Sequence, residues 1–121
     1  MSVPINNIVI PQGTDWSEQF QLLDELGEVI LLSTVTSIVG QAKRIVNGVL
    51  TTAFTFTITL NTGTNIVTSS VAKSITTALI VGPTTSHPDS KFFYDYEILM
   101  GGVTSRLIQG SCIVDREITT I

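Results

Sequence analysis

The sequence predicts an all-β chain: a single antiparallel two-sheet β-sandwich of about seven strands, with one short helical crossover near 69–79. Three observations carry this expectation. The chain is rich in Thr, Ser, Ile and Val, and the β-branched residues among them are stiff at χ1 and fit a pleated surface better than a helix. Apolar residues alternate with Thr and Ser in several short runs, the period of a half-buried strand. Turn signals interrupt those runs about every ten residues, the rhythm of a sandwich; a small barrel is the alternative architecture.

In chain order, "INNIVIPQGTD" reads as a first strand stopped by Pro11 and turned at Gly13. "DWSEQFQLLD" places Trp16, Phe20 and Leu22 on one face, and Glu18 breaks that pattern as an exposed strand start or edge would. "DELGEV" is a turn with Gly27 at positive φ. "TVTSIVGQAKRIV" is a third strand, and Asn47-Gly48 within "VNGV" is a strong short-range hairpin signal. "TTAFTFTITL" is the cleanest strand, with Phe54, Phe56, Ile58 and Leu60 on one side and Thr55, Thr57 and Thr59 on the other. In "SSVAKSITTALIVG" Val71, Ile75 and Leu79 recur every four residues, with Ser69 or Ser70 as N-cap and Gly82 as stop. An exposed two-proline loop follows at "GPTTSHPDS".

The last hairpin can be resolved by pairing. A two-residue Gly101-Gly102 turn suits the positive φ angles of a primed turn, and it pairs Met100 with Val103, Ile98 with Ser105, Glu97 with Arg106 and Tyr96 with Leu107. Tyr94, Tyr96, Ile98, Met100 and Leu107 then share the core face, while Asp95, Glu97 and Arg106 share the other. Glu97 opposite Arg106 is a structural hairpin pair, worth a few tenths to about 1 kcal/mol, that helps to fix register. Beyond Leu107 the apolar parity slips to Ile108, Cys112 and Val114, and a bulge at or near Gly110 would restore the phase.

Composition narrows the function classes. At 121 residues the chain is read as a single domain over 1–121, with short N- and C-terminal extensions. Six basic against ten acidic residues, with only Lys43 and Arg44 adjacent, argue against a nucleic-acid partner. A single cysteine excludes an internal disulfide. No run approaches 18 apolar residues, so no membrane association is expected, and "MSVPINN" lacks the pattern of a secretory signal. Charged residues make up only 13% of the chain beside 43% hydrophobic ones, which points to surface covered by partners rather than to a neutral Thr/Ser coat alone.

No motif supports catalysis, and no enzymatic activity or cofactor is expected. Asp95 and Glu97 lie two residues apart on a flat strand face, without the pocket and raised pKa that paired catalytic carboxylates need. His87 sits in a proline-flanked loop, and Cys112 lies in an apolar strand where a small buried hydrophobe is the expected role. Asp24, Glu25 and Glu28 cluster around Gly27 but lack the alternating oxygen ligands of a calcium loop. Trp16 is assigned with Phe54, Phe56, Tyr94 and Tyr96 to the core rather than to a sugar-stacking platform.

The order of these features resembles a family of Ig-like β-sandwich domains in tailed-phage baseplate, tail-fibre and receptor-binding-apparatus proteins. The stretches that carry it are "QGTDWSEQFQLLDELGEVILL", "SIVGQAKRI", "FTFTITL", "SSVAKSITTAL" and "YDYEILMGGVTSRLIQGSCIV", and the resemblance covers nearly the whole chain, roughly Ile8 to Thr119. Family members are often modules of larger proteins, and here "VGPTTSHPDSKFF" is longer than the usual turn. The resemblance implies an Ig-like fold and a non-enzymatic structural role in the virion, assembled in the host cytoplasm. The expected position is the tail, baseplate or fibre-attachment region, and a capsid decoration protein or a carbohydrate-binding module are the alternatives. The implied partners are other virion proteins and copies of the chain itself, with a host surface glycan disfavoured. Val3, Ile5, Ile118 and Ile121, in the two extensions, are the candidate inter-subunit contacts, since an extended segment can add to a neighbour's sheet edge.

Overall fold

The computed structural model describes residues 6–79, 81–82 and 87–116. Among them, seven strands carry the fold: β1 (Ile8–Pro11), β2 (Trp16–Phe20), β3 (Val35–Val46), β4 (Val49–Asn61), β5 (Ile66–Val71), β6 (Lys91–Met100) and β7 (Val103–Asp115), with one short helix, α1 (Lys73–Ala78). They hydrogen-bond in the order β1-β7-β6-β3-β4-β5-β2. Every pairing is antiparallel except β1 on β7, where Ile8 to Pro11 run parallel to Cys112 to Asp115.

The ladder folds over on itself at β4. Residues Val49 to Phe56 pair with β3, whereas Thr57 to Asn61 pair with β5. The β5-β2 pair therefore lies across the inner face of β3 and β6: the Phe20 ring stacks on Tyr96 at 5.8 Å and Trp16 packs on Phe56 at 5.9 Å. The result is an all-β Ig-like sandwich, as expected, with β2 and β5 in one layer, β1, β7, β6 and β3 in the other, and β4 shared between them.

The core is an aromatic ladder. Phe54, Phe56, Phe92, Tyr94 and Tyr96 are buried and meet edge to face at centroid distances of 5.3 to 5.9 Å. Edge-to-face geometry lets the positive rim of one ring meet the negative face of the next. Trp16 is only half-buried, because β2 is the edge of its layer. At Gly40 any side chain would run into the Tyr96 ring, so the glycine is what allows β3 to lie under that tyrosine.

Local turn chemistry holds as expected. Asn47 and Gly48 (φ 51° and 78°) close the β3-β4 hairpin, Gly101 and Gly102 (φ 60° and 76°) close β6-β7, and Gly27 takes φ 81°. The β6-β7 register runs Met100 to Val103, Ile98 to Ser105 and Glu97 to Arg106.

Several expectations are corrected. Tyr96 pairs with Ile108 rather than Leu107, so the bulge is at Leu107, and the ladder is regular through Gly110 opposite Tyr94. Gly110 serves another need: a side chain there would strike the Asn6 carbonyl, which accepts a hydrogen bond from the Tyr94 hydroxyl as the chain enters β1. The helix is shorter than 69–79, since Ser69 and Val71 belong to β5 and are buried as strand residues. Its buried residue is Thr76 rather than Ile75, and its first free backbone N–H, that of Lys73, is capped by Asp15 at 2.7 Å instead of Ser69 or Ser70. Glu18 shares the inward, half-buried face of β2 with Trp16 and Phe20, where it accepts from the Tyr96 hydroxyl at 3.1 Å. Met100, placed on the core face by parity, is exposed at the hairpin end.

Candidate interaction surface

The outer face of β4, β3, β6 and β7 is where the charged pair of the closing hairpin lies. Glu97 is opposite Arg106 in the ladder, yet the arginine's ion pair is with Asp95, Nε to Oδ2 at 3.1 Å. The bulge explains the swap. The extra residue at Leu107 offsets β7 by one position, so Arg106 reaches diagonally to Asp95 while a second guanidinium nitrogen donates to Gln109 Oε1 at 3.1 Å. Glu97 is left facing Val39 on its other side. Phe93, Lys43 and Gln109 join these charges around an open groove of about 560 Å³. Asp95 is committed to Arg106 on an open face, which is an arrangement for holding register rather than for moving a proton.

The remaining reactive groups are either buried or engaged within their own turns. Cys112 is fully buried, and burial pushes its thiol up to about 12, far from the thiolate a nucleophile needs. Burial raises the Tyr96 hydroxyl strongly; it bonds Ser69 Oγ at 2.7 Å as well as Glu18. Burial, reinforced by the nearby Glu18 charge, also pushes Tyr94 up to about 12. The His87 Nδ1 accepts from the Asp89 backbone N–H at 3.1 Å and closes its own turn. Asp24 Oδ1 accepts from the Leu26 and Glu28 N–H groups at 2.9 and 3.0 Å, so the acidic turn is a hydrogen-bonded turn. Among the described residues no cluster of three His, Cys, Asp or Glu is placed to hold a metal ion.

What the strand patterns did not reveal is where the exposed apolar side chains gather. Leu23, Leu26, Val29 and Leu31 project from the segment between β2 and β3, with Leu26 exposed by 87%, and Met100 and Val103 flank the β6-β7 turn at the same end of the sandwich. Thr34 ties that segment to the turn through its hydroxyl and the Met100 sulfur, 3.8 Å apart. At the opposite end Ile45, Val46, Val49 and Leu50 form the tip of the β3-β4 hairpin, and Phe93 lies beside them, 59% exposed. Phe92 is buried and Trp16 half-buried, so Phe93 is the aromatic ring that β6 offers to solvent. The only sequence signal for these two patches was the excess of apolar over charged residues. Val3, Ile5, Ile118 and Ile121 lie outside the described residues.

No family model and no curated protein matches the chain. Solved structures similar to it include the NK cell receptor Nkp44, at 11% identity and a TM-score of 0.46, covering 97% of this chain and 100% of that one. Another is the extracellular fragment, with stalk region, of novel immune-type receptor 11 from Ictalurus punctatus, at 10% identity and a TM-score of 0.39, covering 100% of this chain and 90% of that one. At that level of likeness neither structure bears on the role or partners of this chain.

Proposed function

We propose that this chain is a non-enzymatic assembly module of a tailed-phage virion, in the tail, baseplate or fibre-attachment region, held there by other virion proteins and copies of itself. The observation that carries the reading is the gathering of exposed apolar side chains at the two ends of the sandwich, led by Leu26 at one and Ile45 and Val49 at the other. Isolated exposed apolar residues are ordinary on a monomer, whereas clusters of this kind mark contact surfaces. The resemblance of the strand motifs to tailed-phage Ig-like domains supplies the setting.

The test is the protein content of gradient-purified particles of the phage that encodes the chain. Stoichiometric copies by quantitative mass spectrometry are expected, and their absence would remove the reading. Gold-labelled antibody on the same particles separates tail from head, and label on the head would replace the tail position with capsid decoration.

Phe93 favours one further reading, a saccharide-binding module, since its exposed ring borders a groove lined by Asp95, Glu97, Arg106 and Gln109. Chemical-shift changes at these residues on titration with chitotetraose or cellotetraose, lost in Phe93→Ala, would support it. A spectrum unchanged at millimolar sugar would count against it.

A further inference from the structure

The two apolar ends carry opposite charge. At the β2-β3 end, Leu23, Leu26 and Val29 share their turn with Asp24, Glu25 and Glu28, and no Lys or Arg lies on it. Five of the six basic residues of the chain lie at the other end, Arg106 being the exception. Lys43 precedes the Ile45-Leu50 pair on the hairpin, and Lys91 begins β6 two residues before Phe93. Among the described residues, Asp15, Asp89 and Asp115 share that end and leave it net positive. Asp15 caps α1, and Asp89 lies beside His87 at 3.8 Å. β3 runs from one end to the other, and its twelve residues set the two patches about 36 Å apart.

From this polarity we infer that the chain associates head to tail with a second copy, the acidic leucine end of one molecule seating on the basic hairpin end of the next. The inference deepens the assembly reading by naming the partner. Like ends brought together would oppose charges of the same sign, so a two-fold contact through either patch is disfavoured, whereas unlike ends attract and bury apolar surface together. The patches differ in shape and sequence and lie at opposite poles, so occupying one leaves the other open. Such a contact propagates into a stack or closes into a ring. The leucine turn enters it preformed, because the Asp24 side chain already holds its backbone and little ordering remains to be done on contact.

The experiment is light scattering and sedimentation of the full chain from about 1 to 500 µM, which spans micromolar to sub-millimolar dissociation constants. The wild type is expected to grow beyond dimers with concentration, and less so at high salt. Leu26→Glu and Ile45→Glu each spoil one end, and each variant alone is expected to sediment as a monomer. Mixed in equal amounts, they retain one intact end of each kind and are expected to form a one-to-one dimer that grows no further. An isologous contact cannot be rescued in this way. A wild type that stays monomeric across the range, or a mixture that stays monomeric, overturns the inference. Should either glutamate variant unfold, Glu25→Lys with Glu28→Lys reverses the acidic end without touching its apolar side chains. That double variant is expected to weaken association about tenfold, and unchanged association would overturn the inference. A monomeric chain that is nonetheless present in purified particles would leave the virion reading standing and this one not.

Discussion

Replacing Gly40 by alanine tests whether the two layers are locked as described. Gly40 is buried in β3, opposite Tyr96 in β6 and Phe56 in β4, and a methyl group there would overlap the Tyr96 ring and lie 3.1 Å from Phe56. Carbon atoms in ordinary contact are about 3.5–4.0 Å apart, so the ring or the strand must move by roughly an ångström. Tyr96 has nowhere to go. Phe20 stacks on it at 5.8 Å, Phe56 meets it edge-on at 5.3 Å, and its hydroxyl bonds both Ser69 and Glu18. Overpacking a rigid core costs about 1–3 kcal/mol, and loss of either hydroxyl contact would add about 1 kcal/mol. The lower unfolded-state entropy of alanine returns roughly 0.4–1 kcal/mol. The net expectation is destabilisation by about 1–3 kcal/mol, a fall in Tm of roughly 4–12 °C for a domain of this size. Urea unfolding followed by tryptophan fluorescence measures it, with Gly63→Ala as control, since a methyl there meets only the Asn61 side-chain oxygen at 3.4 Å. If Gly40→Ala were as stable as the wild type and the control alike, the packing of β3 beneath Tyr96 would be wrong.

The ion pair of the outer face makes a sharper distinction than its energy suggests. A double-mutant cycle of Arg106→Ala with Asp95→Ala is expected to give a coupling of a few tenths of a kcal/mol, and the cycle with Glu97→Ala less; the reverse order would restore the ladder pair as the ion pair. Asp15→Ala removes the cap on the Lys73 N–H and is expected to cost about 1 kcal/mol, and an unchanged urea midpoint would mean that solvent serves that N–H equally well. Alkaline pH should unfold the protein through its buried acids. Cys112 stays protonated in the fold up to about 12 against an ordinary value of 9.0, and Tyr94 up to about 12 against 10.0. Because these folded-state values are raised, their contribution is fully present below pH 9 and is lost as the unfolded chain gives up protons that the fold retains. Stability measured by urea titration should thus be level below pH 9 and fall between pH 9 and 12. Cys112→Ala should flatten the early part of that fall, and an unaltered profile in this variant would contradict the burial of the thiol.

Much of the fold was legible because strands and turns are written in short-range rules. Alternation in "TTAFTFTITL" sorted Phe54 and Phe56 inward and the threonines outward, since successive side chains of a strand point to opposite faces. Asn47-Gly48 and Gly101-Gly102 marked their turns because positive φ is inexpensive for those residues, and a two-residue turn then fixes which residues face each other as far as Glu97 and Arg106. The candidate surface was less legible. The hairpin pair was found as neighbours, but the excess of apolar side chains was visible only as a composition, without a place.

The sequence by itself determined the all-β class, the turns and the side of each clean strand that meets the core, because all of these depend on a residue and its near neighbours in the chain. The tertiary structure decided whatever depends on an atom supplied from far away. Gly110 reads as a bulge until the Asn6 carbonyl is seen to pass over it, and the bulge sits at Leu107 instead. Ser69 and Ser70 read as a helix cap until Asp15, remote in sequence, supplies that bond and frees them to be strand. Glu18 reads as an exposed edge charge until the Tyr96 hydroxyl meets it from the opposite layer. The polarity of the molecule, with leucines and acids at one end and the hairpin with its lysines at the other, exists only once seven strands running to and fro have carried distant residues to common ends.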